Sequence, residues 1–113
     1  GEEDWLVYLI GLDVPRMPQG QGERIDPLAL RALNTVKYLV LNKEVRLEFE
    51  DWLPPEKGEA WAYVFSENRM INTLLLERGL AKLRPAPEEM TYAARLEAAE
   101  DKARAAKRGV WRR

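Results

Sequence analysis

Asp13 is the residue whose type and position most directly suggest chemistry. It follows the apolar run of residues 5–12 and precedes Val14-Pro15 and a glycine-containing loop, within GLDVPRMPQGQGE at residues 11–23. A carboxylate held at the end of a strand can bind a hard cation such as calcium, which prefers oxygen ligands. The segment therefore raises the hypothesis of metal-assisted phosphate chemistry.

Two amino acids on which many enzymes depend are missing from the chain. The 113 residues include no Cys and no His, and Ser66 is the only serine. This composition excludes thiol catalysis, disulfides, Ser-His-Asp triads and most zinc sites. Without cysteines, the sequence also does not indicate whether the protein works in an oxidising or a reducing compartment. Any catalysis would have to use carboxylates, Lys, Arg or Tyr.

Length and composition predict one soluble domain over residues 1–113, and the order of strands and helices described below predicts an α+β fold. The chain is 46% hydrophobic and 33% charged, with a formal net charge of −1. No overall field draws it to nucleic acid or to acidic membranes, and no apolar run approaches the ~20 residues of a membrane span. We therefore expect no membrane partner.

The first half of the chain predicts a strand, a helix and a second strand. Residues 5–12 are predicted as a buried strand. Asp26 and Pro27 have the residue types of a helix N-cap and first helical position, and Asn42 is the predicted stop. Over residues 44–50 the alternation predicts a half-buried strand, with Val45, Leu47 and Phe49 inward and Glu48 and Glu50 outward.

The second half predicts one more strand and two helices. A strand is expected at residues 60–65, and a short helix should begin at an Asn72 N-cap and end at Gly79. A long helix is predicted over residues 88–108, ended by Gly109. Trp111 is expected to fold back on the core.

Several short segments of the sequence resemble the staphylococcal nuclease (thermonuclease-like) family. GLDVPR is similar to that family's Asp-Thr-Pro-Glu segment, and AWAYVF followed by NRMINTLLLERGLAKL resembles its Ala-Tyr strand and Gly-Leu-Ala helix. AKRGVW is similar to its C-terminal Gly-Leu-Trp. The resemblance implies an OB-fold barrel, here partial, with three packed helices. In active relatives it also implies calcium-dependent cleavage of nucleic-acid phosphodiesters.

The residues that the resemblance assigns to catalysis are changed here. Arg16 stands where the family has its presumed general base, and a guanidinium does not accept a proton in proteins. Tyr8 and Glu59 stand at the positions of the two phosphate-binding arginines. We therefore assign no catalytic residue. The Asp-x-Pro segment of the family is present at Asp13 and Pro15, but the charged groups that the resemblance assigns to catalysis are replaced.

The resemblance also implies a missing N-terminal part. Relatives have two further strands, and another calcium-binding aspartate, before the strand matched by residues 5–12, so this domain is N-terminally truncated relative to the family. Asp13 is then the only matching ligand position, too few oxygens for calcium. Uncovered barrel edges predict a homodimer.

Other residues could bind nucleic acid. Trp61 and Tyr63 share a strand face on which bases could stack, and Arg16, Lys57 and Arg69 could contact phosphates. The alternative is that the rings pack against a helix. Glu23 and Asp26 could supply a displaced base, and the cations of KRGVWRR could contact nucleic acid or remain solvated at a helix end.

Three functions remain open. The first is a catalytically inactive nuclease-like module that binds protein or nucleic acid, as part of a larger protein, without a cofactor. The second is a divergent nuclease that uses calcium. The third is a single-stranded nucleic-acid binder that does not cleave. The compartment is not predicted.

Overall fold

The structure is a computed structural model, and it describes residues 5–15, 22, 24–84 and 89–112. These residues form three α-helices and six short strands, so the predicted mixed α+β class is confirmed. Their order is β1 (Leu6–Leu9), β2 (Leu12–Asp13), α1 (Pro27–Val40), β3 (Val45–Glu48), β4 (Glu59–Ser66), β5 (Arg69–Met70), α2 (Ile71–Glu77), β6 (Lys82–Leu83) and α3 (Ala93–Ala105), followed by a 3-10 turn (Gly109–Arg112).

Strand β4 is the centre of the main sheet. β1 pairs with it in parallel, β3 pairs with it antiparallel on the other side, and β5 returns against its end. Residues 62–66 of β4 are all buried, as expected of a central strand. Within the described ranges no strand pairs with the outer edge of β1 or β3, so the sheet is not closed.

The prediction of a buried strand over residues 5–12 is wrong in extent and in burial. The strand ends at Leu9, and the chain turns at Gly11, whose φ of +83° is open to glycine at little cost. Leu6 is 60% exposed because β1 lies at the edge of the sheet. Leu12 and Asp13 form a separate strand that pairs with β6.

The predicted start of the first helix is confirmed. The carboxylate of Asp26 accepts a hydrogen bond of 2.9 Å from the backbone N–H of Leu28, and Pro27 opens the helix. The helix ends at Val40, two residues before the predicted stop. Ala29, Leu33, Val36 and Val40 recur at helical spacing, which predicts one buried apolar face, but Leu33 is exposed.

An apolar hollow of about 490 Å³ opens between α1 and the two outer strands of the sheet. Leu33 contributes to its wall from α1, Val7 from β1 and Val45 from β3. All three are exposed, so Val45, which was predicted to lie inward, faces this hollow without being buried. The hollow is a concave apolar surface that the described residues leave open.

The predicted alternation of β3 fails at its end. The strand stops at Glu48, Phe49 is exposed, and Glu50 is only 5% exposed. The Glu50 carboxylate accepts hydrogen bonds from the hydroxyl of Tyr63 at 3.2 Å and from the backbone N–H of Thr91 at 2.9 Å. These donors satisfy the buried charge, which alternation alone does not predict.

Asn72 does not cap the second helix. The helix begins at Ile71, and the buried Asn72 side chain accepts from the backbone N–H of Val64 and donates to the carbonyls of Ile10 and Ala62. The residue therefore ties α2 to the central sheet.

The predicted end of α2 at Gly79 is close to the observed one. Arg78 is the C-cap, and Gly79 has a φ of +71°. The N–H of Leu80 donates to the carbonyl of Leu75 at 2.9 Å, and that of Gly79 donates to the carbonyl of Leu76, the pattern of a Schellman motif.

The last helix is shorter than predicted. It spans Ala93–Ala105, and Lys107, with a φ of +53°, takes the left-handed position that was predicted for Gly109. Trp111 is half-buried and contacts the cations of Lys82 and Arg104. Among the described helices none has the length and apolar composition needed to cross a membrane.

Candidate functional site

Asp13 lies opposite a cation of its own chain. Strand β2 places it in register with Lys82, and its carboxylate oxygen lies 3.6 Å from Nη2 of Arg84. The backbone N–H of Arg84 donates to the carbonyl of Gly11 at 2.7 Å, which holds the two segments together. The Asp13 side chain is exposed, so this ion pair is weak, but it partly neutralises the carboxylate.

Tyr8 and Glu59 contact each other on neighbouring strands. The parallel register sets Tyr8 opposite Trp61, and the two rings stack with centroids 4.9 Å apart. The phenol O–H donates to Oε1 of Glu59 at 3.2 Å. This hydrogen bond, together with the negative charge of Glu59, raises the pKa of Tyr8 above its usual value.

The Tyr8–Glu59 contact has a direct chemical consequence. These are the two positions at which the resemblance expects phosphate-binding arginines, and the structure places them side by side. A phenol can donate one hydrogen bond to a phosphate oxygen, whereas a carboxylate repels it. The pair therefore presents a negative charge where phosphate binding needs a positive one.

The chemistry of the described donors does not fit a calcium ion. Within residues 5–15, 22, 24–84 and 89–112, no group of three or more acidic side chains converges on a common point. Calcium takes six to eight oxygen ligands. Asp13 supplies one carboxylate, and it already faces Arg84.

The two predicted stacking rings have different accessibility. Tyr63 is 1% exposed and packs edge-on against Tyr92 at 4.8 Å between centroids. Phe65, on the same strand face, also contacts Tyr92, so this part of the face is core, as the packing alternative expects. Trp61 is half-buried beneath Tyr8. One face of the Trp61 ring is therefore already covered by Tyr8.

The predicted phosphate-contacting cations do not converge. Lys57 is exposed in the turn before β4, and Arg69 is exposed in β5, which pairs with the far end of β4. The intervening strand separates them by on the order of 30 Å. Arg16 and Glu23 lie outside the described residues, and Asp26 caps α1. Nucleic-acid binding by these residues stays a prediction.

Sequence reasoning missed Arg84 as the partner of Asp13. The contact depends on β2 and β6, each of two residues. Strands of this length show no alternation that a sequence pattern could detect. The only available signal was the position of a cation shortly after the helix that ends near Gly79.

Fold and site together define an α+β domain of the nuclease-like class. Asp13 follows its first strand, and Tyr8 and Glu59 stand where the resemblance expects arginines. The model for staphylococcal nuclease homologues matches residues 6–113. The chain therefore belongs to the staphylococcal nuclease family. It is 28% identical over 105 residues to the thermonuclease of Staphylococcus hyicus, a match that covers 93% of this chain and 62% of that protein. The chain thus spans less than two thirds of this relative.

Proposed function

We propose that this chain is a catalytically inactive module of the staphylococcal nuclease family that acts by binding protein or nucleic acid, as one part of a larger protein. The observation that carries the proposal is the hydrogen bond between Tyr8 and Glu59 at the positions of the expected arginines. Cleavage of a phosphodiester builds negative charge on the phosphoryl oxygens, which guanidinium groups or metal ions normally neutralise. A carboxylate at this place opposes that charge.

The other site residues support the same conclusion. Asp13 is exposed and faces Arg84, so one carboxylate is all that it offers to a metal ion. Arg16, at the position of the presumed base, carries a guanidinium that does not take up a proton. The metal ligands, the arginines and the base are thus all weakened or replaced.

The architecture that we propose is a partial OB-fold barrel in one domain. It is supported by the β1–β4–β3 order of the sheet, by its two outer edges, with which no strand of the described residues pairs, and by the apolar hollow beneath α1. Two further strands laid across this hollow would join the outer edges and bury its wall.

A second candidate is a divergent calcium-dependent nuclease. It is favoured by the thermonuclease relative and by the retained Asp13. Under this hypothesis Asp13 would bind the ion, and Arg84 would have to turn toward the phosphate. The two candidates differ in one measurable property, which is cleavage that depends on calcium.

The test is digestion of plasmid DNA and RNA by the purified chain, with calcium or with a chelator. We expect no cleavage above that of an Asp13→Ala variant purified in parallel. Calcium-dependent cleavage that Asp13→Ala abolishes would establish the second candidate and refute the first. Cleavage that survives Asp13→Ala would show that the activity does not use the residues assigned from the resemblance.

A gain-of-function arm sharpens the result. The double variant Tyr8→Arg, Glu59→Arg restores both expected cations, and Leu41→Arg, Glu44→Arg, at two exposed residues away from β1, is a matched control with the same change in charge. If the charge reversal at the site is what limits phosphate binding, only the first variant should bind a nucleoside bisphosphate in the presence of calcium. Equal binding by both variants would remove that explanation.

A further inference from the structure

A set of cations lines three adjoining hollows on a surface formed by α1, the end of α2 and the C-terminal turn. The two larger hollows, of about 850 and 620 Å³, share Arg31, Gly109 and Arg112. A third, of about 270 Å³, shares Arg31 and Arg78 with the first. We call this surface the cationic groove, and its positively charged side chains are Arg24, Arg31, Arg78, Lys107, Arg108 and Arg112.

The cationic groove concentrates positive charge on a chain whose net charge is −1. All six cations are exposed. Asp26 is the one carboxylate in the walls, and its side chain already accepts the N–H of Leu28. Arg108 donates to the carbonyl of Glu77, and among the described residues the other five cations have no ion-pair partner. Their charges are therefore available to a ligand.

A rigid junction of two glycines assembles one wall of the groove. The N–H of Val110 donates to the carbonyl of Gly79 at 2.8 Å. A Cβ at Gly79 would lie 2.2 Å from the carbonyl oxygen of Arg108, and one at Gly109 would lie 1.9 Å from that of Gly79. Only glycines permit this approach, which fixes Arg78 beside the C-terminal cations.

The chemistry of the walls indicates a phosphodiester chain. Guanidinium groups match phosphate oxygens with two parallel hydrogen bonds, and a row of them suits a polyanion. At one end of the groove Tyr38 lines the third hollow and is 77% exposed. An exposed ring beside a cationic track is the arrangement on which single-stranded nucleic acids stack their bases. An acidic peptide would satisfy the cations but has no base to stack on the ring.

We propose that the cationic groove binds single-stranded nucleic acid, with its arginines on the phosphates and Tyr38 stacked on a base. The inference rests on the proposed binding role and names its ligand and surface. Asp13, Tyr8 and Glu59 do not line the groove. Binding there does not require cleavage.

The test measures binding of fluorescein-labelled 15-nucleotide DNA and RNA by anisotropy, in chelator, at several salt concentrations. Arg31→Gln, Arg112→Gln should weaken affinity about 10-fold or more. It should also reduce the slope of log affinity against log salt by about 1.4, since each phosphate contact on a single strand contributes about 0.7. The matched control Arg95→Gln, Lys102→Gln removes the same charge from two exposed side chains of α3 outside the groove and should change affinity less than about 2-fold. Equal losses in both variants would overturn the proposal.

Two further arms test the ring and the ligand class. Tyr38→Leu should weaken binding about 5-fold without changing the salt slope, whereas Leu41→Ala, at another exposed apolar side chain outside the groove, should not. An unchanged affinity in Tyr38→Leu would overturn the stacking. Oligoglutamate of equal charge should fail to displace the oligonucleotide. Displacement would show an acidic protein to be the ligand class and overturn the proposal.

Two controls keep the result interpretable. The circular dichroism spectra and the thermal unfolding of all variants should match those of the wild type, because every substituted side chain is exposed. The charge-conserving variant Arg31→Lys, Arg112→Lys should have the salt slope of the wild type. Failure to restore it would contradict phosphate contacts. If the wild-type chain did not bind the oligonucleotides, this inference would be overturned, but the proposal that the chain does not cleave nucleic acid would be unaffected. Calcium-dependent cleavage would refute the proposed function, while binding measured in chelator would still stand.

Discussion

Asn72 and Ile10, 62 residues apart in the chain, are joined by a hydrogen bond of 3.1 Å from the side-chain Nδ2 of Asn72 to the Ile10 carbonyl. The same amide also accepts from Val64 and donates to Ala62, so one fully buried side chain ties α2 to β4 and to the residue that follows β1. This matters for the site because Asp13 follows Ile10 by three residues. The position of the site carboxylate thus depends on a residue of α2.

Asn72→Ala should destabilise the fold by about 2–4 kcal/mol, because it leaves the buried N–H of Val64 and the carbonyl of Ile10 without this partner. Denaturant unfolding followed by circular dichroism measures the change. Asn34→Ala is the control, since Asn34 is exposed on α1 and should stay within about 0.5 kcal/mol. Equal losses at both positions would contradict a structural role for the buried amide.

Gly79→Ala should reduce stability by about 3 kcal/mol or more, because the added methyl group would meet the carbonyl of Arg108 and the backbone is left-handed. Gly58→Ala is a matched comparison. Gly58 has a φ of +83° but no atom within 4 Å of the added Cβ, so backbone strain of about 1 kcal/mol is expected. Similar melting temperatures for the two variants would mean that the glycine junction does not constrain the C-terminal turn.

Local chemistry could predict much of the fold. The cap at Asp26, the turn at Gly79 and the central strand at residues 60–65 follow from residue types and spacing, and the structure confirms each of them closely. Burial was harder to predict. Leu33, Val45 and Phe49 have the periodicity of core residues but are exposed. Periodicity reports which side chains share a face, and it does not tell whether another element covers that face.

The candidate site shows the same limit. The sequence alone could identify which charges had changed at Tyr8, Arg16 and Glu59. It could not predict that Tyr8 donates to Glu59 or that Arg84 faces Asp13, because these contacts depend on strand register and on two-residue strands. The cationic groove was also missed, since its arginines come from four separate segments.

Glu50 should make stability depend on pH in the acid range. Burial raises the pKa of this carboxyl, but the hydrogen bonds from Thr91 and Tyr63 outweigh it, so the folded pKa is lowered from 4.5. The stabilisation is therefore fully present above the pKa of Glu50 in the unfolded chain, and it is lost as the pH falls through the lower pKa of the folded chain.

Glu50→Gln should be less stable than the wild type at pH 7, and it should lose less stability between about pH 5 and 3. Glu97→Gln, exposed on α3, should follow the wild type. A wild-type pH dependence in Glu50→Gln would contradict the role of Glu50.

In the part of the chain that the structure describes, no strand pairs with the outer edges of β1 and β3, and these edges and the apolar hollow between them predict a homodimer. Unpaired edges and exposed apolar side chains favour association with a second copy. Light scattering at increasing concentration should show a dimer. Val7→Lys, which places a charge in the wall of the hollow, should favour the monomer, and Leu41→Lys, outside it, should not. A monomer at high concentration would contradict this prediction.

The phenol of Tyr8 should titrate above its ordinary range because of Glu59. Since the neutral phenol donates to the carboxylate and the charge of Glu59 opposes ionisation, the pKa of Tyr8 is raised in the folded chain. Glu59→Gln should return it toward about 10. Absorbance at ~295 nm measures ionisation of tyrosine, and subtracting the curve of Tyr8→Phe isolates this residue from the other three. Asp51→Gln removes an exposed carboxylate elsewhere and should leave the Tyr8 midpoint unchanged. If Glu59→Gln also left it unchanged, the phenol and the carboxylate would not be in contact in solution, and the proposed function would lose the hydrogen bond that carries it.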